Sequence, residues 1–416
     1  KKKNANESAI RLLTDVGLRN VDKIIDCYPH QLSGGMQQRA MIAMAISCNP
    51  DLIIADECTT ALDVTTQLQI LNLLKDISKK INISIIIITH NLAVVAYLCT
   101  RTYVMHEGKT IEEAKTNDLF FDPKHDYTKK LLKSSRIINE EKFYSTEGES
   151  EILKVDGIKK IFRLPRTKDP LNAVDNVSFK LKEGEIFGIA GESGSGKTTI
   201  ANLLMGLLNV TSGEITFLNK EINEFVKKDR KKFRKNIQMI FQSPFGSLNP
   251  RKTIGSILSL PINIHFKNTK DKTKEKVLEL LTMVELVPPE IFFDRHPHEL
   301  SGGEQQRVAI ARAISTEPKL IISDEAVASL DTSIRVDILN LLKRINKKTK
   351  VSLIMISHDL SVLKNMCTRI AIMHLGKIVE IGKKEEIFLN PKHEYTKSLL
   401  TATLQIPNKE RQTHDK

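Results

Sequence analysis

Gly191-Glu192-Ser193-Gly194-Ser195-Gly196-Lys197-Thr198 is the stretch whose reading decides the fold. The octet fits GxxxxGK[ST]. It lies between a short apolar run of strand length, Ile186–Ala190, and a helical pattern from Thr199 to Leu208. Glycines let the backbone curl until successive N–H groups point at one anion, and a helix N-terminus adds its positive dipole end. In such a loop Lys197 reaches the β- and γ-phosphates of a nucleotide, Thr198 ligates Mg²⁺, and Thr199 continues the helix. A Gly-rich turn formed by chance is the competing reading, and the flanking strand and helix argue against it.

Downstream lie residues suited to the same chemistry. Leu320–Ser323 is an apolar strand that ends in Asp324-Glu325. Asp324 is placed to hold Mg²⁺, and Glu325 to polarise an attacking water. In isolation an acidic pair after a strand is more often a helix N-terminal feature; below a phosphate loop the balance reverses. Gln242 follows Ile237–Ile240 and is a candidate contact for Mg²⁺ and the water. His358 ends the run Leu353–Ser357 and is a candidate for the γ-phosphate and for holding Glu325. Ser301-Gly302-Gly303 opens the helical stretch Glu304–Ile314, where a serine and backbone amides make a second anion site.

The chain then repeats itself. His30-Gln31-Leu32-Ser33-Gly34-Gly35-Met36-Gln37-Gln38-Arg39 returns 268 residues later as His298-Glu299-Leu300-Ser301-Gly302-Gly303-Glu304-Gln305-Gln306-Arg307. The same shift maps Asp56-Glu57 onto Asp324-Glu325, His90 onto His358 and Tyr127 onto Tyr395. A period this long marks a duplicated domain. The copies are unequal, because the first has no counterpart of residues 151–268 in these 416 residues and so no phosphate loop. We expect the C-terminal part of one domain over 1–133, a polar Glu-bearing linker over 134–150, and a complete second domain with a C-terminal extension over 151–416. Strands that alternate with helices predict an α/β fold with a mainly parallel sheet covered on its faces, and Leu171–Lys182 alternates like a strand that ends in a turn at Glu183-Gly184.

Composition sets outer limits. The 416 residues are 41% hydrophobic and 27% charged, a balance typical of globular domains. No apolar run approaches the ~18 residues of a membrane span. Lys1-Lys2-Lys3-Asn4 carries neither an apolar stretch like that of a signal peptide nor an initiator Met, so the chain is expected to begin within a longer protein. Five cysteines form no CxxC pair, which argues against a zinc ribbon or a disulfide scaffold and fits a reducing compartment. A net charge of +13 suits nucleic acid, anionic lipid or nucleotide, or reflects only Lys-rich usage. The basic run from Lys227 to Lys235 reads as a solvated helical face.

Taken together, the phosphate loop, Gln242, both Leu-Ser-Gly-Gly elements, both Asp-Glu strands, Leu62-Asp63, Leu330-Asp331 and both histidines resemble an ABC transporter ATPase. Phe241–Pro250 and the tails Pro123–Thr128 and Pro391–Thr396 resemble the oligopeptide/dipeptide importer branch. Two copies in one chain are similar to the fused ATPase subunits of some peptide importers, including those of microcin C uptake. The resemblance implies P-loop NTPase domains with an antiparallel β part and a helical subdomain beside the parallel sheet, ATP and Mg²⁺ as ligands, ATP hydrolysis, and import of a peptide-like solute. It also implies two membrane-spanning permease subunits and a solute-binding protein as partners, a place on the cytoplasmic face of the inner membrane, and no nucleic acid. In that family ATP sits between head-to-tail domains, which assigns Ser33-Gly34-Gly35 to a facing surface and Phe162 to stacking on adenine. The family usually has Pro after Asp-Glu; Cys58 and Ala326 stand there instead, which is expected to loosen the turn. A soluble twin ATPase acting on ribosomes or DNA is the alternative. Its translation type has a long charged inter-domain arm and its repair type carries zinc CxxC insertions, and neither is present. A third reading is a regulatory protein without turnover, against which the intact second copy weighs.

Overall fold

The computed structural model describes residues 2–59, 62–140, 148, 150–163, 170–328 and 330–407. The chain divides into two compact units, Lys1–Arg136 with Thr401–Lys416, and Ile137–Leu400.

The second unit is built on a six-stranded sheet. Its order is Ile237–Ile240, Leu320–Asp324, Ser352–Ser357, Ile186–Ala190, Arg369–His374 and Lys377–Lys383. All neighbours are parallel except the last pair, a hairpin. Successive side chains on a strand face opposite ways. Ile321, Leu353, Met355 and Ile186 therefore join one core cluster, while Leu320, Ile322, Ile354, Ile356, Phe187 and Ile189 join another. Both faces are covered, which is why these strands read as continuous apolar runs rather than alternating ones. A four-stranded antiparallel sheet lies beside it, in the order Leu171–Lys182, Glu151–Phe162, Ser212–Phe217, Lys220–Glu221. Helices Ile254–His265, Lys270–Met283 and Pro289–Asp294 form the helical part against Gly302–Ile314.

Helix ends follow side-chain chemistry. Ser301 Oγ accepts the Glu304 N–H at 3.4 Å, and the Glu304 carboxylate accepts the Ser301 N–H at 2.7 Å, a reciprocal cap. The basic run predicted as one helical face is two short helices, Ile222–Lys228 and Arg230–Asn236. Asp229 breaks them because its carboxylate accepts the Lys232 N–H at 3.0 Å and caps the second. The helix of the phosphate loop spans Lys197–Leu204, starting two residues before the predicted one and ending four before it.

The first unit carries the corresponding parallel pair, Leu52–Asp56 with Ser84–Ile88, and the hairpin Arg101–His106 with Lys109–Lys115. Its core gathers Val16, Ile42, Ile53, Ile70 and Leu74. The helix Asp126–Glu140 runs through the first residues of the range expected to be linker, and most of the rest of that range lies outside the described residues. No helix among the described residues is long and apolar enough to cross a membrane.

Candidate ATP site

The phosphate loop closes between the strand Ile186–Ala190 and its helix, and two glycines are required there. Gly196 has φ 105°, and a Cβ on it would stand 2.3 Å from the Ala173 carbonyl oxygen. Gly191 has φ 153°, with a Cβ position 2.4 Å from the Met373 carbonyl oxygen. Both carbonyls are backbone, so neither can move aside. Ser193, Gly194 and Thr198 face outward, while Ser195 is buried. Lys197 is buried too, and its ammonium donates to the Gly191 and Glu192 carbonyls at 2.8 and 2.7 Å.

The structure brings Asp324, Glu325, Gln242 and His358 together beside this loop. Gln242 Nε2 donates to Glu325 Oε2 at 3.0 Å, and His358 Nδ1 lies 3.1 Å from Glu325 Oε1. Burial pushes the Glu325 carboxyl up, but the His358 hydrogen bond, its charge and Lys197 outweigh it, so the group lies below the ordinary glutamate value. Burial alone would lower the imidazole of His358; its bond to Glu325 and the two carboxylates nearby raise it above the ordinary value. Asp324 behaves differently. Burial raises its carboxyl, with the Thr198 hydroxyl and Lys197 pulling the other way. Its Oδ1 is buried and has no hydrogen-bond partner. A buried carboxylate oxygen without a donor, beside an exposed threonine hydroxyl, fits a hard cation that takes oxygen ligands.

Other candidates fall as follows. Phe162 ends the strand Glu151–Phe162, half-buried, with the Lys160 ammonium 5.2 Å from its ring centroid. Ser301 caps the helix Gly302–Ile314. A Cβ on Gly303 would meet Ile334 at 2.7 Å, so its lack of a side chain serves packing. A Cβ on Gly302 would meet nothing within 4 Å. In the first unit Ser33 caps the helix Gly34–Ile46, with its Oγ accepting the Met36 N–H at 3.3 Å. His90 Nδ1 lies 2.8 Å from Glu57 Oε1, and Asp56 ends the strand before it. Two features escaped the sequence. Glu325 and its counterpart Glu57 adopt left-handed φ values of 49° and 46°. Tyr395 reaches the phosphate loop, and the repeated tails were its only trace.

The ABC transporter family profile matches residues 1–60 and 174–328, half of the chain. The chain belongs to the ABC transporter ATP-binding family. A second profile, the C-terminal region of oligopeptide/dipeptide transporters, matches residues 111–159 and 379–416. The glutathione import ATP-binding protein GsiA of Pectobacterium atrosepticum is 38% identical over 96% of this chain and 68% of its own length. That of Escherichia coli K12 is 39% identical over 96% of this chain and 69% of its own length. Among solved structures, the dimeric ATP-binding cassette MJ0796 bound to ADP and Pi matches with TM-score 0.51 and 31% identity. It covers 56% of this chain and 99% of that one. The CbiO1 protein of Clostridium perfringens, part of the cbiONQ transporter complex, matches with TM-score 0.52 and 29% identity, covering 58% of this chain and 92% of that one. The fold is thus that of the ABC ATPases, and the chain is the ATP-binding, ATP-hydrolysing subunit of an importer of the oligopeptide/dipeptide type. The soluble twin-ATPase alternative finds no support in these matches.

Proposed function

We propose that the second unit hydrolyses ATP with Glu325 as the group that polarises water, and that the energy drives import of a peptide-like solute of the glutathione class. The carrying observation is the triad of side chains around Glu325. A carboxylate held ionised below its ordinary range, with His358 on one oxygen and Gln242 on the other, is fixed to accept a proton from water. His358 keeps Glu325 oriented and supplies positive charge toward the γ-phosphate. Lys197 exchanges its two loop carbonyls for phosphate oxygens, gaining charge-assisted bonds. Thr198, Asp324 and Gln242 are the residues to hold Mg²⁺, which when bound neutralises charge on the β- and γ-phosphates. Phe162 is the candidate for the adenine face, and Ser33-Gly34-Gly35 for a helix N-terminus facing the nucleotide.

The partners proposed are two permease subunits and a solute-binding protein, with the chain on the cytoplasmic face of the membrane. Support comes from the stretch after Gln242. Phe245 is 58% exposed, and a groove of about 330 Å³ is lined by Ser247 and Asn249 of the same stretch together with Lys252, Ile257, Leu260 and Pro261. The docking loop thus connects directly to a residue bonded to Glu325.

The test is a purification from detergent-solubilised membranes followed by transport in vesicles. Permease subunits should co-purify, and Lys197→Ala should abolish ATP-dependent uptake of a labelled tripeptide while leaving co-purification intact. Recovery of ribosomes or DNA in place of permeases refutes the proposal.

A further inference from the structure

The segment Pro391-Lys392-His393-Glu394-Tyr395-Thr396 leads from the edge hairpin of the large sheet back to the phosphate loop. Glu380, on the strand Lys377–Lys383, accepts the N–H groups of Lys392 and His393 at 2.8 and 3.1 Å. His393 Nδ1 then accepts the Tyr395 N–H at 3.1 Å. These bonds fix the start of the helix Glu394–Ala402. They deliver the Tyr395 ring onto His374, with centroids 3.9 Å apart and planes 29° from parallel. From that seat the Tyr395 hydroxyl accepts the Glu192 N–H at 3.3 Å.

Glu192 is the second residue of the phosphate loop. Its amide stands just before those that curl around an anion. A second tie comes from the same strand end, where the Gly376 N–H donates to the Ser195 carbonyl at 3.0 Å. The Gly376 tie is main chain and belongs to the turn between the strands Arg369–His374 and Lys377–Lys383. The Tyr395 tie is a side chain delivered by the C-terminal segment, 203 residues away in sequence.

The anchor is a built unit, because the first copy makes it again. Glu112 accepts the Lys124 and His125 N–H groups at 2.7 and 3.1 Å, and His125 Nδ1 accepts the Tyr127 N–H at 3.1 Å. Tyr127 lies against His106 with centroids 4.1 Å apart.

We propose that Tyr395 is a positioning residue for the phosphate loop: seated on His374, its hydroxyl holds the Glu192 amide and fixes where the anion-binding curl begins, tying ATP affinity to the C-terminal segment. The inference rests on the ATP reading of this site. Preorganisation of a loop raises affinity by removing the ordering cost of binding, without any contact to the ligand. Tyr395 therefore acts before chemistry and not in it.

Tyr395→Phe is the decisive variant, since it keeps the ring on His374 and removes only the hydroxyl. One neutral hydrogen bond contributes about 1 kcal/mol, or roughly a fivefold change in an equilibrium constant. The Kd and KM for MgATP should rise about fivefold, with kcat at saturating ATP within about twofold of the parent. Hydrogen exchange of the Glu192 amide in nucleotide-free protein should quicken. Tyr127→Phe should leave all four quantities at their parental values. Lys197→Ala is measured alongside. If Lys197→Ala binds MgATP as the parent does, the ATP reading itself fails. If Lys197→Ala loses binding while Tyr395→Phe keeps parental Kd and Glu192 exchange, the ATP reading stands and the positioning role is overturned. A fall in kcat with KM unchanged also overturns it, because that result assigns the hydroxyl to the chemical step.

Discussion

Replacing Glu325 with Gln separates binding from turnover at this site, and the structure sets the size of each effect. The Glu325 and His358 side chains are each 19% exposed, so their bond at 3.1 Å is largely shielded from water. The amide keeps the shape and one acceptor oxygen but loses the charge. A charge-assisted hydrogen bond becomes a neutral one, at a stability cost of about 1 kcal/mol. For a unit of this size that lowers Tm by roughly 2–4 °C. The kinetic effect is larger. An amide cannot take a proton from water, and losing a general base costs about 10²- to 10⁴-fold, roughly 2.7–5.5 kcal/mol of barrier. With the nucleotide contacts proposed to lie on Lys197 and the loop amides, affinity should stay within about twofold. The assay is phosphate release at saturating MgATP, with binding followed by a fluorescent ATP analogue and folding by thermal melt. A variant that hydrolyses ATP within threefold of the parental rate, while folded and binding, would falsify the assignment of Glu325.

Three further outcomes are expected. Burial outweighs every other influence on Cys367 and pushes its thiol far above the ordinary range, whereas Cys27 and Cys48 are exposed; native protein treated with iodoacetamide should be alkylated at Cys27 and Cys48 first and at Cys367 only in denaturant, as read by peptide mass spectrometry. Burial pushes Glu380 up, but the Thr396 hydroxyl, the Lys392 and His393 amides and the His393 charge outweigh it and lower its pKa; its contribution is full above the ordinary glutamate value of 4.5 and fades as pH falls through the lowered one, so the stability gap between parent and Glu380→Gln in urea titrations should be widest near pH 7 and close in acid. The family likeness proposes a Ser-Gly-Gly element against the nucleotide; Ser33→Arg should abolish cooperative hydrolysis by this chain and Ser301→Arg leave it, and the reverse result would assign the role to Ser301 of a second chain.

Much of this was legible in the residues, and the exceptions have physical causes. The strand Ile186–Ala190 was read to the residue because apolar runs bounded by charges and glycines leave little freedom in register. The helix Thr332–Thr349 runs on past its apolar residues, because polar Asn346, Lys347 and Lys348 still propagate hydrogen bonds until Lys350 turns left-handed and stops them. The Glu325–His358–Gln242 grouping was anticipated as roles but not as direct bonds, since it joins three strand ends from distant parts of the chain. The bond from Tyr395 to the phosphate loop was hidden for the same reason. The turn after Asp324, where Ala326 stands in place of proline, closes with the Ala328 N–H on the Glu325 carbonyl at 3.0 Å, and Ala326 is buried.

The two copies separate what a pattern fixes locally from what needs the rest of a domain. Ile322 and Ile54 occupy matching strand positions, yet the first is fully buried and the second is 63% exposed. In the second unit Ile322 lies in the cluster formed with the antiparallel sheet and the helix Lys197–Leu204. The first copy has no counterpart of those elements among these 416 residues, so an apolar run alone does not bury a strand. The Glu–His pair behaves otherwise. Glu57 and Glu325 both turn left-handed, and each donates its N–H at 2.9 Å to a carbonyl on the neighbouring strand, Ile88 or Ile356. The left-handed turn costs about 1–2 kcal/mol for a residue with a Cβ, and the backbone bond offsets about 1 kcal/mol of it. The turn aims the carboxylate at the histidine that ends that neighbouring strand, at 2.8 Å in one copy and 3.1 Å in the other. The Glu–His arrangement is therefore set by two strand ends and two residues. It forms with or without a phosphate loop, whereas ATP binding requires the loop, and this is why the second unit is assigned the hydrolytic activity of this chain.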